Sequence, residues 1–464
     1  MIRLLNVYYP TRTVILLFFE AVILAGSFLV ASLYVLGSDD TLIAVNYELG
    51  WLKILAVTVL SLMLSYYFDL YEPQIVSARE EIYFRVLLVL GVGCFIVWAV
   101  IFLFPEAQIA SGRGRLPIFA LGYAILTPAL LGWRRAFEWF MSRKLFRERV
   151  FVLGGGEYAR GIVETIRARP DIGMEVVDWE MVGGEPAARK RVWIEKLDRL
   201  AKRKLGVNRI IVAMEAQRGE LPVEELLALR FRGISVEDAG TLSERLSGKI
   251  QLDGLRPSTF LYSEGFRIRR SQQLTRQILS TAAAATGLLL FAPFFPIVVF
   301  FVRISSKGPI FFAQTRVGLN GKTFKVYKFR SMFTDAEAGG AKWATKNDPR
   351  VTKVGMFMRK TRIDEVPQLW NVLRGDMGFV GPRPERPEFV PMLAEALPFF
   401  HLRHLVRPGL TGWAQIRYGY GATMAEAREK LQYDLYYVKH MSLGLDLLIM
   451  FETIKTIIRR RGAQ

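Results

Sequence analysis

Four long apolar runs in the first third of the chain constrain its fold more than any other feature. Each run is close to the ~20 residues that an α-helix needs to cross the hydrocarbon core of a bilayer. Aromatic residues lie near several run ends, where amphipathic rings prefer the membrane interface. We therefore predict four transmembrane helices within residues 1–145. The runs are Val14–Leu36, Trp51–Tyr71, Ile82–Phe104 and Leu116–Trp133.

The distribution of Lys and Arg predicts the orientation of these helices. The segment Gly37–Gly50 contains no Lys or Arg, whereas Arg134, Arg135 and Arg143 follow the fourth run. Basic residues accumulate in the cytoplasmic loops of membrane proteins. We therefore expect the N-terminus, and the chain that follows the fourth run, to lie in the cytoplasm.

The composition limits the partners of the protein. The 464 residues carry a net charge of +19, and 52% of them are hydrophobic. A basic, apolar chain suits an anionic membrane face or nucleic acid. Between Arg267 and Thr334 there are eleven Lys or Arg and no Asp or Glu, and this basic stretch surrounds an apolar segment. We therefore favour membrane lipids and expect no nucleic-acid partner. The single cysteine, Cys94, excludes an internal disulfide framework.

The middle segment, residues 146–255, alternates between strand and helix patterns, which is typical of a parallel α/β sheet. The sequence GGGEYARG follows the first apolar strand. Gly154, Gly156 and Ala159 fit the G-x-G-x-x-G/A turn, in which backbone N–H groups approach a phosphate. The pattern predicts a Rossmann-like domain.

Two interpretations of this middle domain remain open. The turn could bind a nucleotide, in which case Asp178 or Glu180 would follow the second strand as the acid that contacts a ribose. Alternatively, the domain is structural and orients the protein or joins two copies of it.

A fifth apolar run, Ile278–Val302, has 25 residues without a charge, which is long enough to span. Bases flank it on both sides, however, so both ends are expected in the cytoplasm. Pro293 and Pro296 lie inside the run, and each lacks the N–H that a helix interior requires. We predict a re-entrant helix over residues 274–302, within a domain that spans 256–464.

The C-terminal third surrounds one acidic pair with cations. Asp364 and Glu365 lie between Arg359, Arg362 and Arg383. Thr361 is a candidate N-cap for a helix towards Leu373, whose dipole would favour ionised carboxylates. Asp can act as a nucleophile towards phosphorus, and either carboxylate can hold Mg²⁺. The competing interpretation is a charge pair that only stabilises the helix.

This block resembles the catalytic domain of the bacterial sugar transferase family, the monotopic phosphoglycosyl transferases. The motifs are KFRSM, DEVPQLWNVLRGDM, VGPRP and RPGLTGWAQ, and the resemblance covers about residues 270–459. LRPSTFLYSEGFR, just before the fifth run, is similar to the exopolysaccharide branch. Together with the four spans and the α/β domain, the chain looks like the large undecaprenyl-phosphate hexose-1-phosphate transferases of exopolysaccharide and O-antigen initiation.

The resemblance implies a reaction at the cytoplasmic face of the bacterial inner membrane. A UDP-sugar would donate its sugar-1-phosphate to undecaprenyl phosphate and release UMP, with Mg²⁺ as the cofactor. Asp364 would be the nucleophile, assisted by Glu365, and Pro293 would mark the break of the membrane anchor. We also expect the protein to form a homodimer. Its basic motif positions, which we take as phosphate-binding candidates, are Lys328, Arg330, Arg359, Arg383 and Arg407.

The chain departs from the family pattern in two places and leaves two further hypotheses open. It reads Arg362-Ile363 where many members have Ser-Leu, and Gly378-Phe379 where Ser-Leu is commoner. Neither change removes a reacting group. One alternative is an NAD-dependent sugar-modifying enzyme that uses the middle domain. The other is a membrane scaffold that senses nucleotides. The sugar is not determined, and analogy suggests glucose or galactose.

Overall fold

Long charge-free stretches favour helices because an α-helix satisfies its own backbone hydrogen bonds. The computed structural model describes the chain except residues 1, 5–6, 73–78, 108, 110–114, 142, 144–146, 180–185, 203–205, 214–220, 253–254, 256, 258–259, 261–264, 267–269, 335, 337–347, 420–422 and 459–464. Two units are seen. One comprises Met1–Ile2 and Tyr9–Glu237, and the other Arg3–Tyr8 and Asp238–Gln464. The short strands β1 (Ile2–Leu4) and β2 (Val7–Tyr9) pair near the start of the chain.

In the described part of the chain, the first unit begins with five α-helices. They are α1 (Thr11–Leu36), α2 (Ser38–Tyr47), α3 (Gly50–Tyr67), α4 (Arg79–Leu103) and α5 (Arg115–Met141). Among the described residues, four helical stretches are long and apolar enough to cross a membrane, and these are Thr11–Leu36, Gly50–Tyr67, Glu81–Leu103 and Arg270–Ser305. Three of these coincide with the first three predicted runs. The fourth predicted span, 116–133, is helical within α5, but α5 is not among these four.

One ion pair is buried inside this helical bundle. Arg134 on α5 places its Nε atom 2.7 Å from Oε1 of Glu20 on α1. The hydroxyl of Tyr71 donates to Oε2 of Glu20 at 2.6 Å. An uncompensated charge among apolar helices is costly, so the two charges stabilise the bundle only while both are present. The pair is therefore a packing feature that joins the first and last of these helices.

The middle segment forms the predicted parallel α/β sheet. Its strands are β3 (Glu148–Leu153), β4 (Met174–Trp179), β5 (Arg209–Val212) and β6 (Ser235–Asp238), in the order β4-β3-β5-β6. The central strand β3 pairs in parallel with β4 and β5. The helices α6 (Gly156–Ala168), α7 (Pro186–Lys202) and α8 (Val223–Phe231) alternate with the strands.

Close packing explains why small residues occupy two positions of the glycine-rich turn. Gly154 has φ +155°, and a Cβ atom there would lie 2.0 Å from the carbonyl oxygen of Ala213. Ala159 is fully buried on α6. Gly156 begins α6 at φ +85° and has no heavy atom within 4 Å of where a Cβ would stand. Asp178 lies 3.8 Å from Nζ of Lys196, and Glu180 lies outside the described residues. Nucleotide binding at this turn stays a prediction.

The second unit starts with α9 (Ala239–Ser247) and continues with the fifth apolar run. That run forms α10 (Arg270–Phe291) and α11 (Phe295–Ser305), separated by a 3₁₀ turn at Ala292–Phe294 that contains Pro293. The interruption thus lies where the prolines predict it. The re-entrant path through a membrane stays a prediction, and most of LRPSTFLYSEGFR lies outside the described residues.

The remaining elements build a small mixed body around these helices. The strands are β7 (Phe311–Val317), β8 (Thr323–Phe329), β9 (Gly378–Val380) and β10 (Gly409–Thr411). The helices are α12 (Lys353–Thr361), α13 (Gln368–Arg374), α14 (Val390–Ala396), α15 (Trp413–Arg417), α16 (Met424–His440) and α17 (Leu443–Ile458). β7 and β8 form an antiparallel hairpin, and β9 and β10 pair in parallel.

Two apolar clusters hold α10 and α11 against this body. Ala284 on α10 packs with Leu369 and Val372 of α13. Val302 on α11 packs with Phe329 of β8 and Met358 of α12. Each half of the interrupted helix therefore contacts a different helix of the same body, which places the apolar run directly beside the acidic pair.

The parallel contact between β9 and β10 predicts a sharp intolerance to any side chain at Gly409. A Cβ atom there would lie 2.0 Å from the Gly381 nitrogen and 2.4 Å from the Thr411 carbonyl oxygen. Because only backbone atoms are in the way, Gly409→Ala should lower the free energy of unfolding by about 3 kcal/mol. Thermal unfolding of the purified protein in detergent measures this loss. Gly419→Ala is the control, since no heavy atom of a described residue lies within 4 Å of its added Cβ. Equal melting temperatures for the two variants would contradict the prediction.

Candidate active site

The acidic pair lies in a tight turn between two helices. Helix α12 ends at Thr361, and Arg362 follows in the left-handed region at φ +60°. The chain then forms a 3₁₀ turn over Ile363–Glu365, and α13 begins only at Gln368. Asp364 and Glu365 are 6% and 8% exposed. A non-glycine residue in the left-handed region costs about 1–2 kcal/mol, so the backbone of this turn is strained at Arg362.

The predicted N-cap role of Thr361 is wrong. Its hydroxyl donates to the carbonyl oxygens of Phe357 and Met358 at 2.9 and 3.2 Å, inside the helix that ends there. The left-handed Arg362 ends that helix, and this backbone choice cannot be read from a Thr-Arg pair. The carboxylates therefore lie in the 3₁₀ turn before the helix that runs towards Leu373, and not in the first turn of that helix.

Three cations converge on one oxygen of Glu365. Nη2 of Arg383 donates to Oε1 at 2.7 Å, Nζ of Lys328 lies 3.2 Å from the same atom, and Nη1 of Arg362 lies 3.7 Å away. Burial alone would raise the pKa of Glu365, but Arg383, Lys328 and Arg362 together hold it well below its usual value. Glu365 is therefore a fixed negative charge at every pH near neutrality.

Asp364 has the opposite environment. Its Oδ1 atom is buried and has no hydrogen-bond partner among the described residues. Burial and the neighbouring Glu365 charge raise the pKa of Asp364 to about 6, although Lys328, Arg359 and Arg362 counteract them. An acid with a raised pKa and one bare oxygen is a stronger nucleophile than an ordinary, hydrogen-bonded aspartate. Two adjacent carboxylates thus have different roles available to them.

A buried asparagine aligns Lys328 with the pair. Asn371 on α13 accepts from the Tyr327 N–H at 3.1 Å and donates to the Lys325 carbonyl at 2.7 Å. These two bonds continue the hydrogen bonding of strand β8 onto helix α13, and Asn371 is fully buried. The residue after Tyr327 is Lys328, so its ammonium group is directed to the turn that precedes α13.

The five basic candidates divide into two groups. Lys328 and Arg383 reach Glu365, and Arg359 acts electrostatically on Asp364 while its Nε atom donates to Oγ of Ser331 at 3.0 Å. Arg330 is buried and donates to the Ser306 carbonyl at 2.5 Å, at the end of α11. Arg407 donates to Oε1 of Gln277 on α10 at 2.8 Å. Arg330 thus binds the end of α11 and Arg407 binds α10. Neither of them is seen to contact the acidic pair in the described residues.

Comparison with known proteins identifies the family. The model of the bacterial sugar transferase family matches residues 271–460. UDP-glucose:undecaprenyl-phosphate glucose-1-phosphate transferase of Escherichia coli (strain K12) is 30% identical over 371 residues, which cover 77% of this chain and 79% of that protein. This chain belongs to the bacterial sugar transferase family. The resemblance noted in the sequence motifs is confirmed.

Two other relatives show how far the similarity extends. UDP-N-acetylgalactosamine-undecaprenyl-phosphate N-acetylgalactosaminephosphotransferase of Aeromonas hydrophila is 42% identical over 227 residues. That match covers 48% of this sugar transferase and about half, 52%, of the relative. Exopolysaccharide production protein PSS of Rhizobium leguminosarum bv. phaseoli is 43% identical over 187 residues, 38% of this chain and 92% of that protein. The sugars in the relatives' names differ, with N-acetylgalactosamine in one and glucose in another.

Sequence reasoning about this sugar transferase missed three residues that support the site. Asn371 aligns β8 with α13, and Arg403 and Asp434 form a buried ion pair behind Arg383, with a distance of 2.9 Å. Asn371 and Asp434 each lie in an otherwise apolar helical stretch, LWNVL and YDLYY. A polar residue in such a position must find a partner when it is buried, and this is a usable signal. Arg403 carries no comparable signal.

The described residues can supply only some of the ligands that a magnesium ion needs. No group of three or more His, Cys, Asp or Glu that could hold a metal is found in the described part of the chain. The unpartnered Oδ1 of Asp364, beside the Glu365 carboxylate, offers the hard oxygen ligands that Mg²⁺ prefers. Mg²⁺ commonly takes one or two carboxylates and completes its shell with water and substrate phosphate oxygens. The pair therefore fits that mode of binding.

The opposite pKa shifts of two aspartates predict opposite effects on stability. The raised pKa of Asp364 means that its charge destabilises the fold above about pH 6, so Asp364→Asn should stabilise the protein by about 1–3 kcal/mol at pH 7.5. This gain should shrink as the pH falls from 6 to 4 and vanish near pH 3, below the pKa of about 3.9 in the unfolded chain, where the wild-type carboxyl is neutral in both states. Thermal unfolding across this pH range measures it.

Asp348→Asn is the matched control with the opposite sign. The guanidinium of Arg350 lowers the pKa of Asp348 to about 2, so that carboxylate stabilises the fold above the pKa of the unfolded chain. The control variant should therefore melt below the wild type at pH 7.5, and the difference should shrink as the pH falls towards 2. A lower melting temperature for Asp364→Asn at pH 7.5 would contradict the assigned environment.

Proposed function

We propose that this protein transfers a hexose-1-phosphate from a UDP-sugar to undecaprenyl phosphate and releases UMP. The reaction would be the first membrane step of exopolysaccharide or O-antigen synthesis. The observation that carries the proposal is the pairing of a buried, bare Asp364 oxygen with a Glu365 whose charge is neutralised by three cations. The relatives' names, which specify undecaprenyl-phosphate sugar phosphotransferases, support the same chemistry.

In the first step, the Asp364 carboxylate attacks the sugar-bearing phosphorus of the UDP-sugar. An oxygen–phosphorus bond forms to Asp364, the bond to the bridging oxygen of the diphosphate breaks, and UMP leaves with that oxygen and its electron pair. In the second step, a phosphate oxygen of undecaprenyl phosphate attacks the same phosphorus. The carboxylate of Asp364 is regenerated, and the diphospho-sugar lipid is released. Neither step requires a proton from the protein.

The surrounding residues perform electrostatic work in both steps. Phosphoryl transfer depends mainly on positioning and on stabilising charge over the phosphoryl oxygens. Arg359, Lys328 and Arg383 supply that charge within reach of the pair, and guanidinium groups match phosphoryl oxygens in a bidentate way. The raised pKa of Asp364 keeps the nucleophile basic, while it is still ionised above about pH 6.

A magnesium ion would be held by Asp364 and Glu365 together with phosphate oxygens of the substrate. When bound, such an ion neutralises the diphosphate and so makes UMP a better leaving group. Asp364 and Glu365 orient toward the substrate from one rigid turn, and the cations that fix Glu365 also keep its carboxylate from rotating away.

Lipid access follows from the interrupted apolar helix. We propose that α10 and α11 enter and leave the membrane on the cytoplasmic side, with the break at Pro293. Arg270 before the break and Arg303 and Lys307 after it are exposed. They would lie near anionic headgroups, each contributing on the order of 1 kcal/mol. The clusters at Ala284 and Val302 attach both halves to the catalytic body. The acidic pair would then face the headgroup of a polyprenyl phosphate in the inner membrane.

The covalent step predicts a stoichiometric adduct. Purified protein incubated with Mg²⁺ and either UDP-glucose or UDP-N-acetylgalactosamine, without lipid, should release at most about one equivalent of UMP. Intact-mass spectrometry should then show a phospho-sugar on the protein. Asp364→Asn should abolish both signals because an amide cannot displace UMP.

Asp238→Asn is the matched control, since Asp238 caps α9 through the Thr241 N–H at 3.1 Å and Asn caps equally well. It should release UMP like the wild type. UMP release or adduct formation by Asp364→Asn would overturn the assignment of the nucleophile.

The re-entrant path predicts the location of the C-terminus. An epitope tag after Gln464 should be protected from antibody or protease in intact spheroplasts, because both ends of the α10–α11 segment would lie in the cytoplasm. A tag inserted at Asp39 in helix α2, on the predicted outer side, is the control and should be accessible. External labelling of the C-terminal tag would show that this segment crosses the membrane completely.

A further inference from the structure

The loop that carries Arg383 is fixed at four successive carbonyl groups. The Gly409 N–H donates to the Pro382 carbonyl at 2.9 Å, and the Val317 N–H donates to the Glu385 carbonyl at 2.9 Å. Between them, Nη1 of Arg316 donates to the Pro384 carbonyl at 3.0 Å. Nη2 of Arg403 donates to the carbonyl of Arg383 itself at 2.7 Å. Arg316 and Val317 are neighbours at the end of β7, so the four donors come from three different parts of the second unit.

Arg403 is itself held in place. It is 7% exposed, and the Nη2 atom that bonds the Arg383 carbonyl also lies 2.9 Å from Oδ2 of Asp434. Its Nη1 atom lies 3.8 Å from Oε1 of Glu385, and its guanidinium lies over the ring of Phe400 at 5.2 Å. A planar guanidinium can serve a carbonyl and carboxylates at once, whereas an ammonium group on a shorter, rotatable stem cannot reproduce this geometry.

Asp434 connects this arrangement to a long helix. It is 2% exposed in the middle of α16, whose first turn is closed by a capping box between Thr423 and Glu426. A buried carboxylate of this kind requires a charged partner, because its desolvation is otherwise uncompensated. The helix thus fixes Asp434, Asp434 fixes Arg403, and Arg403 fixes the backbone from which the Arg383 side chain extends to Glu365.

We propose that Arg403, held by Asp434, is a positioning residue of the active site. It fixes the main chain of Arg383 so that the Arg383 guanidinium stays on Glu365 and faces the substrate phosphates. This inference rests on the proposed function for its kinetic consequence, but its structural content is independent of that reaction. The competing explanation is a buried ion pair that stabilises the unit and has no effect on Arg383.

A double-mutant cycle separates the two explanations. Arg403→Lys keeps the positive charge beside Asp434 but removes the planar guanidinium group. It should slow formation of the phospho-sugar adduct at least tenfold at saturating UDP-sugar. In an Arg383→Met background, which already lacks the positioned group, the same change should slow the reaction less than twofold. An equal slowing in both backgrounds would overturn the proposal, because a general loss of stability acts whether or not Arg383 is present.

Lys439→Gln provides the control for loss of a partly buried ion pair on the same helix. Lys439 lies on α16, and its Nζ atom is 2.7 Å from Oε2 of Glu244. It touches none of the residues placed around the acidic pair, so its effect on adduct formation should be below twofold. If Arg403→Lys does not fold, Asp434→Asn takes its place in the cycle with the same expected pattern.

Hydrogen–deuterium exchange of the full-length protein tests the same proposal without turnover. Amides in the peptide that spans 378–389 should exchange at least fivefold faster in Arg403→Lys than in the wild type or Lys439→Gln. Unchanged exchange there would overturn the proposal even if the kinetics changed. If wild-type protein forms no adduct with either UDP-sugar, the proposed function fails, and the exchange measurement still decides whether Arg403 positions Arg383.

Discussion

The neutralisation of one buried carboxylate organises the catalytic unit. Glu365 is nearly inaccessible to water, and a lone charge in such a place would be too costly to keep. Three cations offset the cost of burying this charge, because they lie around a single carboxylate oxygen. They are Arg383, Lys328 and Arg362. These three cations come from a loop after β9, from strand β8 and from the end of α12. The environment of the acidic pair therefore depends on three separate parts of the fold.

The same arrangement determines the pKa and the hydrogen bonding of Asp364. Once Glu365 is permanently negative, its neighbour is harder to ionise, and burial adds to that effect. The cations are oriented mainly to Glu365, so Asp364 keeps a bare oxygen. A turn that carries two adjacent carboxylates thus contains one with a lowered pKa, Glu365, and one with a raised pKa, Asp364. This is how environments differentiate two chemically similar groups in other enzymes.

The scaffold behind the site uses polar residues in apolar surroundings. Asn371 extends strand β8 onto α13, and the Arg403–Asp434 pair supports the loop of Arg383. Buried polar groups of this kind are costly when they are incomplete, and they specify one arrangement when they are satisfied. Arg330 and Arg407 have an analogous role towards α10 and α11, which they fasten through a backbone carbonyl and Gln277. Basic residues in the family motifs thus contact the interrupted apolar helix as well as the acidic pair.

The sequence alone determined the apolar runs, the alternating α/β segment and the break near Pro293, because hydrophobic periodicity and proline chemistry are local properties. It also determined the family, through motifs in which Asp364 and Glu365 are adjacent. Only the tertiary structure decided that Thr361 ends a helix instead of beginning one, since the left-handed backbone of Arg362 depends on its surroundings. It likewise divided the basic residues, placing Lys328 and Arg383 on Glu365 and Arg330 on a helix end. The division follows from long-range packing. Lys328 and Glu365, for example, are 37 positions apart in the sequence.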